Sequence, residues 1–569
     1  MPTIPIGTYL FDRIRSLGIK TIFGVPGDYE LALLDLIPKS DLQWLGSPSE
    51  LVAAYSADGY SRTSSLPGAL ITTFGPGELS AVCGVAGSYC EFVPIVHIVG
   101  YPSLEQQKGT GILHHTLGDL DYEHFHQMSK QISCATTVLT DPNTATSEID
   151  RVLNAMLYYS KPVYIGIPRD IAMHQIPSLN LDAKPLVTTL PPNNATLEEK
   201  LVYQIRENLE SYDNAVMVVD GGAVRHGVIQ EAQELMSILD IPVFTCPMSK
   251  GSVNEHHPRF GGIYAGIASK PDVRETVEAS DCILWIGNFP SDLNTGAFTE
   301  SFKPEAVIGL ERFWCKIGEE KFDVRMKWVL QHLIKSIKLS PLKRQALKSM
   351  PCTPYPAYSQ PAYLSPSSPI THKYLWPRFA HFLRSSDIVI PETGTSQAGM
   401  NTTHLPEGCA MFTQLVFGSI GMATGAAVGA TIAAKERGNC KRIVLVTGEG
   451  SLQMTVQSLS ILIRQGTNPI IFVLNNAGYT IERLIHGPRA PYNDLPNWKY
   501  TSLLEALGPD IKSQSYEAHT VGELDLIMNS SELKFPKQPT LIEMFLDKLD
   551  GPEALKEIGQ RVGELDTQS

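Results

Sequence analysis

Three α/β domains, each carrying a doubly wound parallel sheet, are what this sequence predicts. Two observations carry the prediction: short β-branched runs that end in Gly, Pro or Asp, and helix-compatible stretches that separate them. A third observation, two proline-rich seams, sets the number of domains. The strand runs lie at 162–168, 215–220, 282–287, 388–391, 443–448 and 469–474. They are continuously apolar rather than alternating, the pattern of strands covered on both faces. Helices fit 197–211 and 451–465 between them. The first seam, 175–196, holds Pro177, Pro185, Pro191 and Pro192. The second, 349–370, holds six prolines and reads as an extended linker. The predicted domains are therefore 1–185, 195–348 and 371–569, each of ordinary domain size.

Composition narrows the class. The 569 residues carry 46 Lys+Arg against 59 Asp+Glu, a formal net charge of −13, which argues against nucleic-acid partners. Hydrophobic residues make up 43% and charged residues 18%, which excludes a disordered chain. Nine cysteines are scattered, with no CxxC pair and no zinc spacing, as expected of reduced, mostly buried thiols. The N-terminus has no basic start followed by an apolar core, so a cytoplasmic protein is expected. Residues 411–434 lack charge and repeat Gly421, Gly425 and Gly429 at four-residue spacing. That spacing can mark a membrane helix dimer. The run is weakly apolar, however, and a buried helix packed closely on a sheet is expected instead, with no membrane span.

The most informative stretch is Ile443-Val-Leu-Val-Thr-Gly-Glu-Gly-Ser, followed after a helix-like segment by Ile470-Ile-Phe-Val-Leu-Asn-Asn-Ala-Gly-Tyr. It reads as strand, glycine-rich turn, helix, strand and amide-rich turn. Backbone N–H groups of Gly450 and Ser451 at a helix start suit an anion. Glu449 adds a carboxylate and Asn476 an amide oxygen, and oxygen donors beside a phosphate suit Mg²⁺. The first turn alone could be an ordinary tight turn, and Asn475-Asn476 a strand cap. The two turns, 24 residues apart between Gly450 and Asn475, are far more specific together.

This paired pattern resembles the thiamin-diphosphate motif. The text 475–487, NNAGYTIERLIHG, resembles the pyruvate decarboxylases and their indolepyruvate and phenylpyruvate relatives. So do Phe23-Gly-Val-Pro-Gly-Asp-Tyr, Glu50-Leu-Val-Ala-Ala-Tyr, Leu113-His-His-Thr-Leu-Gly and His256-His-Pro-Arg-Phe-Gly-Gly. The resemblance spans almost the whole chain in order. It implies an N-terminal pyrimidine-binding domain, a central domain and a C-terminal domain for the diphosphate and Mg²⁺, all in the thiamin-diphosphate-binding fold. It also implies a homodimer or homotetramer with active sites between subunits.

Roles follow residue by residue from that resemblance. Glu449, Asn476 and the Gly478 carbonyl would hold Mg²⁺. The Gly418 carbonyl would receive the aminopyrimidine, Ile420 would sit under the bent cofactor, and Thr393, Thr395 and Ile481 would line its pocket. Glu50, which alone reads as an exposed helix glutamate, would hydrogen-bond the aminopyrimidine. Asp28 alone could be a helix N-cap, His114 and His115 could be solvated, and Glu482 could be a surface charge pairing with Arg483. The family would gather these four as the proton-handling cluster, because decarboxylation of a 2-oxo acid needs protons delivered and removed in turn. One position departs: 449 is Glu where the family has Asp, and the extra methylene bears on Mg²⁺ geometry.

The pocket walls also depart. Leu293 stands where the pyruvate enzymes commonly have Phe, and Phe417 where they have Trp; Pro76 replaces a usual Val. Ile481 and Ile485 complete the expected substrate wall. Pyruvate is expected first among substrates, with branched or aromatic 2-oxo acids close behind because lost aromatic bulk enlarges a pocket. The alternatives are acyloin-forming carboligation and a non-enzymatic thiamin-diphosphate sensor.

Overall fold

Parallel pairing dominates all three large sheets of the computed structural model, which describes residues 2–178, 185–344, 347, 349–353, 361, 363–438 and 442–568, with side chains to 560. The centre of the expected linker, 354–360 and 362, lies outside the described residues. The N-terminal sheet has six parallel strands in the order Gln43–Gly46, Thr21–Gly24, Gly68–Thr73, Ile95–Tyr101, Val163–Pro168, Thr136–Val138. The central sheet has five parallel strands and then turns antiparallel at Cys315–Ile317 and Glu320–Phe322. The C-terminal sheet is again six-stranded and parallel, ordered Ala410–Met411, Ile388–Pro391, Ile443–Gly448, Ile470–Asn475, Thr540–Phe545, Gln514–Ala518.

Burial on both faces explains why these strands lack polar alternation. Val444, Val446, Ile470, Phe472 and Leu474 join one core cluster, whereas Ile443, Leu445, Ile471 and Val473 join another on the opposite face. Successive side chains point to opposite faces, so an apolar run supplies both cores at once. The central sheet divides Met217 and Val219 from Val216 and Val218 in the same way. The segment expected as one helix over 451–465 is two, Glu449–Thr455 and Ser458–Arg464, and the first begins at Glu449 itself.

The glycine-spaced run is the helix Met422–Glu436, buried along most of its length. Its closest partner is another helix, Glu50–Ser64, rather than the sheet alone. A Cβ at Gly429 would collide with the Ser56 carbonyl, and one at Gly59 with the Ala426 carbonyl. The Ser56 hydroxyl donates to the Gly425 carbonyl at 3.1 Å. On its other side Ala423, Ala427 and Ala430 pack on Ile388, Ile443 and Leu445 of the sheet. The small residues therefore let two domains approach backbone to backbone. Among the described residues no helix is long and apolar enough to cross a membrane.

Buried Glu91 ties the three domains together. Its carboxylate accepts from the Leu415 and Val416 N–H groups at 2.7 and 2.8 Å and from Arg62 at 2.8 Å, with Arg225 of the central domain at 3.4 Å.

Candidate active site

Strand Thr21–Gly24 ends in the turn that carries Asp28. Its Oδ2 lies 2.8 Å from His114 Nε2, and Oδ1 lies 3.9 Å from His115 Nε2. Asp28 and His114 are exposed and His115 is half-buried. The short helix after the turn, Leu31–Leu34, is preceded by Glu30, so Asp28 is not its N-cap. Tyr29 fixes the histidine loop: its ring stacks on His114 at 4.9 Å, and its hydroxyl donates to the His114 carbonyl at 3.1 Å. His115 adopts a left-handed backbone, φ 67°. Its carbonyl occupies the space a Cβ would take at Gly75, so both residues are fixed by the same close approach.

Gly75 precedes the helix Pro76–Cys90. Pro76 sits at its first position, where a fixed φ helps and the missing N–H costs nothing. Glu78 accepts from the Gly75 N–H at 2.9 Å and from the Tyr164 hydroxyl at 2.9 Å, and burial pushes its carboxyl up to about 7. Glu50 opens the helix Glu50–Ser64, and its Oε1 lies 3.4 Å from where a Gly77 side chain would begin. Glu30, 1% exposed beneath the Asp28 turn, is likewise pushed by burial to about 7.

The second half of the site lies at the carboxyl ends of two adjacent strands, Ile443–Gly448 and Ile470–Asn475. Glu449 is 3% exposed, and its Oε1 accepts the Gly478 N–H at 2.7 Å. Burial pushes its carboxyl up to about 7, against the lowering effect of that N–H. One terminal atom of the Asn476 amide lies 2.5 Å from the Gly478 carbonyl oxygen and 3.2 Å from Glu449 Oε1; the other lies 2.8 Å from Thr480 Oγ1. With its nitrogen inward, the amide donates to both oxygens. Turned about, the amide would instead offer its oxygen beside the Gly478 carbonyl and Glu449, three oxygen donors to a cation. The donor set is all oxygen, as Mg²⁺ requires, so these residues fit the metal.

The loop is rigid on its outer side. Ala477 (φ 56°) and Gly478 (φ 139°) turn the chain back, and Gly478 has no room for a Cβ beside the Asn493 carbonyl. Arg483, 2% exposed, donates to the Ala477, Pro488 and Asn493 carbonyls at 3.2 Å each and to Asp494 Oδ1 at 2.5 Å. Arg483 therefore serves the loop and does not pair with Glu482, which is exposed on the helix Thr480–Ile485.

A third loop lies beside the second half. Glu392, 1% exposed, accepts from the N–H groups of Thr393, Gly421 and Ala423 at 3.1, 3.0 and 3.3 Å, and burial still pushes it to about 8. Thr393 Oγ1 donates to the Gln414 carbonyl at 2.7 Å, and Thr395 begins the helix Thr395–Thr402. Gly418 takes φ 60°, 3.8 Å from the Thr393 methyl when given a Cβ, and half-buried Ile420 follows two residues later. Ile481 Cδ1 reaches within 3.4 Å of a Gly394 Cβ. The Tyr55 hydroxyl meets Ser419 Oγ at 2.6 Å.

Of the wall positions, Phe417 is 40% exposed and lies 3.2 Å from a Gly87 Cβ. Leu293 lines an 80 Å³ cavity with Ala554, Leu555 and Ile558 of the helix Glu553–Gln568. Ile485 touches the same helix, 3.6 Å from a Gly559 Cβ. The structure thus brings Asp28, His114 and His115 together, Glu449, Asn476 and Gly478 together, and Thr393, Gly418 and Ile481 together. Among the contacts of the described residues none joins Glu482 to Asp28 and the histidines. Tyr29, Glu30 and Glu392 went unread in the sequence, and Arg483 was read only as a surface partner of Glu482. Glu392, between an apolar strand and a Thr-Gly-Thr turn, carried a signal in its position; the others did not.

Three segments of the chain match family descriptions. Residues 5–133 match the thiamine pyrophosphate enzyme N-terminal TPP binding domain, 202–324 its central domain, and 392–542 its C-terminal TPP binding domain. Fold and site together thus define a thiamine pyrophosphate enzyme, whose cofactor is thiamin diphosphate. The chain is 42% identical over 558 residues to pyruvate decarboxylase isozyme 3 of Saccharomyces cerevisiae, covering 98% of each. It is 41% identical over 563 residues to a pyruvate decarboxylase of Candida glabrata, again 98% of each, and 40% identical over 573 residues to that of Kluyveromyces marxianus, 100% of each. The chain belongs to the pyruvate decarboxylase family of thiamine pyrophosphate enzymes.

Proposed function

We propose that this protein is a carboxy-lyase that decarboxylates a 2-oxo acid, pyruvate first, to an aldehyde and CO₂ with thiamin diphosphate and Mg²⁺. The observation that carries the reading is the clustering of the Glu449 carboxylate, the Asn476 amide and the Gly478 carbonyl at two parallel strand ends. In this reading those residues hold Mg²⁺, while the N–H groups of Gly450 and Ser451 receive the diphosphate. The Gly418 carbonyl, Ile420, Thr393, Thr395 and Ile481 seat the ring system. When bound, the cofactor supplies the electron sink for the bond that releases CO₂.

The chain supplies the protons. Glu50 holds a proton at the aminopyrimidine ring nitrogen and so sets its tautomer. Asp28 orients His114 through the 2.8 Å contact, so the imidazole presents one defined nitrogen. His115 and Glu482 complete the relay. Because Glu482 stands on the C-terminal domain and shares no described contact with Asp28, the reading assigns the complete site to two subunits of a homodimer or homotetramer. The domains act as 1–185, 195–348 and 371–569. The eight cysteines among the described residues are all free, which suits a reducing, cytoplasmic setting.

A second reading rests on Phe417, which is 40% exposed, and on Leu293 beside its small cavity. These walls suit branched or aromatic 2-oxo acids, and also acyloin formation. The test is aldehyde and CO₂ release from pyruvate, 2-oxoisocaproate, phenylpyruvate and indolepyruvate, with and without thiamin diphosphate and Mg²⁺. Cofactor-dependent release is expected, and its best substrate ranks the walls. Cofactor binding with no release from any acid would overturn the decarboxylase.

A further inference from the structure

The strands that end at Glu449 and Glu392 begin at a second cavity. Its volume is about 610 Å³, and it opens at the amino ends of Ile388–Pro391 and Ile443–Gly448. Strand Ile443–Gly448 spans six residues at roughly 3.3 Å each, so the cavity is about 20 Å from the diphosphate end. Its wall is cationic in a chain of net charge −13: among the described residues Arg384, Lys435, Arg442, Lys534 and Lys537 face one acid, Asp387. Asp387 is already spent on Arg442, at 2.6 Å. Lys435 donates to the Gln465 carbonyl at 2.6 Å and Arg384 to the Lys534 carbonyl at 2.5 Å, both neutral acceptors, and Arg384 shares Asp387 with Arg442. Among the described residues no carboxylate forms an ion pair with Lys435, Lys534 or Lys537.

Two hydroxyls add a second observation. Thr431, 1% exposed, lines the cavity, and its Oγ1 has no hydrogen-bond partner. Thr467 lines it too, and its buried Oγ1 is equally unpartnered. A buried hydroxyl without a partner costs about 1–3 kcal/mol, so an acceptor-rich occupant would relieve both. Cations with hydroxyl donors, beside a single acid that is already paired, recognise the oxygens of a phosphate group. At the rim Phe535 is 66% exposed, with the Arg384 guanidinium 4.9 Å from its ring centre, and offers a flat apolar face beside the charges.

We propose that this cavity binds a phosphate-bearing anion, at a site separate from the one for the cofactor diphosphate. The phosphate group is the recognised chemistry; its carrier is either inorganic phosphate or a nucleotide whose base stacks on Phe535.

The test is titration calorimetry on the holoenzyme, saturated with thiamin diphosphate and Mg²⁺ so that the cofactor site is filled. Inorganic phosphate and AMP are the probes, at low and at physiological salt. One equivalent per chain is expected, weakening with salt as an exposed charge interaction does. The double variant Lys534→Gln/Lys537→Gln should weaken both probes at least tenfold while turnover is unchanged. Thr431→Val, similar in shape, should weaken them several-fold and so separate a built site from diffuse surface charge. AMP binding tighter than phosphate, with the gain removed by Phe535→Ala, assigns the nucleotide; equal binding assigns inorganic phosphate. No binding of either probe to the holoenzyme, or unchanged binding by the lysine double variant, overturns the proposal.

Discussion

The two halves of the candidate site are built on opposite plans. In the N-terminal half, Asp28, His114 and His115 are side chains on loops, largely exposed, and held by each other and by Tyr29. In the C-terminal half, Glu449 and Asn476 are buried at strand ends, and the neighbouring Ala477 carbonyl is clamped by Arg483. The difference suits two tasks. Groups that exchange protons need access and freedom to change charge, whereas groups that hold a cation need fixed oxygens shielded from water. Changes in the first half should therefore cost rate, and changes in the second should cost affinity or stability.

Glu50→Gln tests the sharpest case, since the side chain keeps its shape and loses its proton. A fall in turnover of roughly 10³-fold, within the general acid–base range, is expected with thiamin diphosphate binding intact; full turnover would remove Glu50 from activation. Arg483→Met should act in the other half. It leaves the Ala477, Pro488 and Asn493 carbonyls without their donor, and about 3 kcal/mol of stability should be lost in denaturant unfolding.

Buried acids make the apoenzyme sensitive to pH. Glu30 is raised from 4.5 to about 7 in the fold, so the folded state holds its proton longer than the unfolded chain. Stability should fall as pH rises from about 4.5 through 7 and level off above, by at most about 3 kcal/mol from this residue. Glu30→Gln should flatten that part of the melting-temperature profile, and an unchanged profile would show the carboxyl is not the source. Asp28→Asn should reduce kcat by roughly 10²-fold with Mg²⁺ affinity unaltered. Last and smallest, Glu449→Asp should tighten Mg²⁺ roughly tenfold, the scale of changes around a metal's ligands, read by equilibrium dialysis against thiamin diphosphate. A looser site in that variant would mean the Gly478 loop has been built around the longer side chain.

The plan of each half also decided what was legible. Strand ends and their glycine or amide turns follow from local pattern, so Glu449 and Asn476 stood out as a spaced pair. Asp28 and His114 are 86 residues apart and meet only because the Gly75 turn makes room for the His115 carbonyl. No periodicity announces that contact, and only a family resemblance pointed to it. Residues that brace others were hidden for the same reason: Arg483 looks like a surface charge until its loop folds over it. The glycine spacing of 421–429 marked close packing correctly, but its chief partner, the Glu50 helix, is more than 350 residues away in the chain.

That separation has a consequence in time. The seam between Glu50–Ser64 and Met422–Glu436 admits no added methyl group, and it closes only once both helices exist. About 360 residues must be synthesised between them, which takes roughly 20–70 s at ribosomal speeds of 5–20 residues per second. Through that interval the first domain emerges with Gly59 and Ser56 facing solvent rather than their partner. The nascent chain therefore carries an open, sticky face for most of its birth, and a joint too close for a methyl group is among the last to be made.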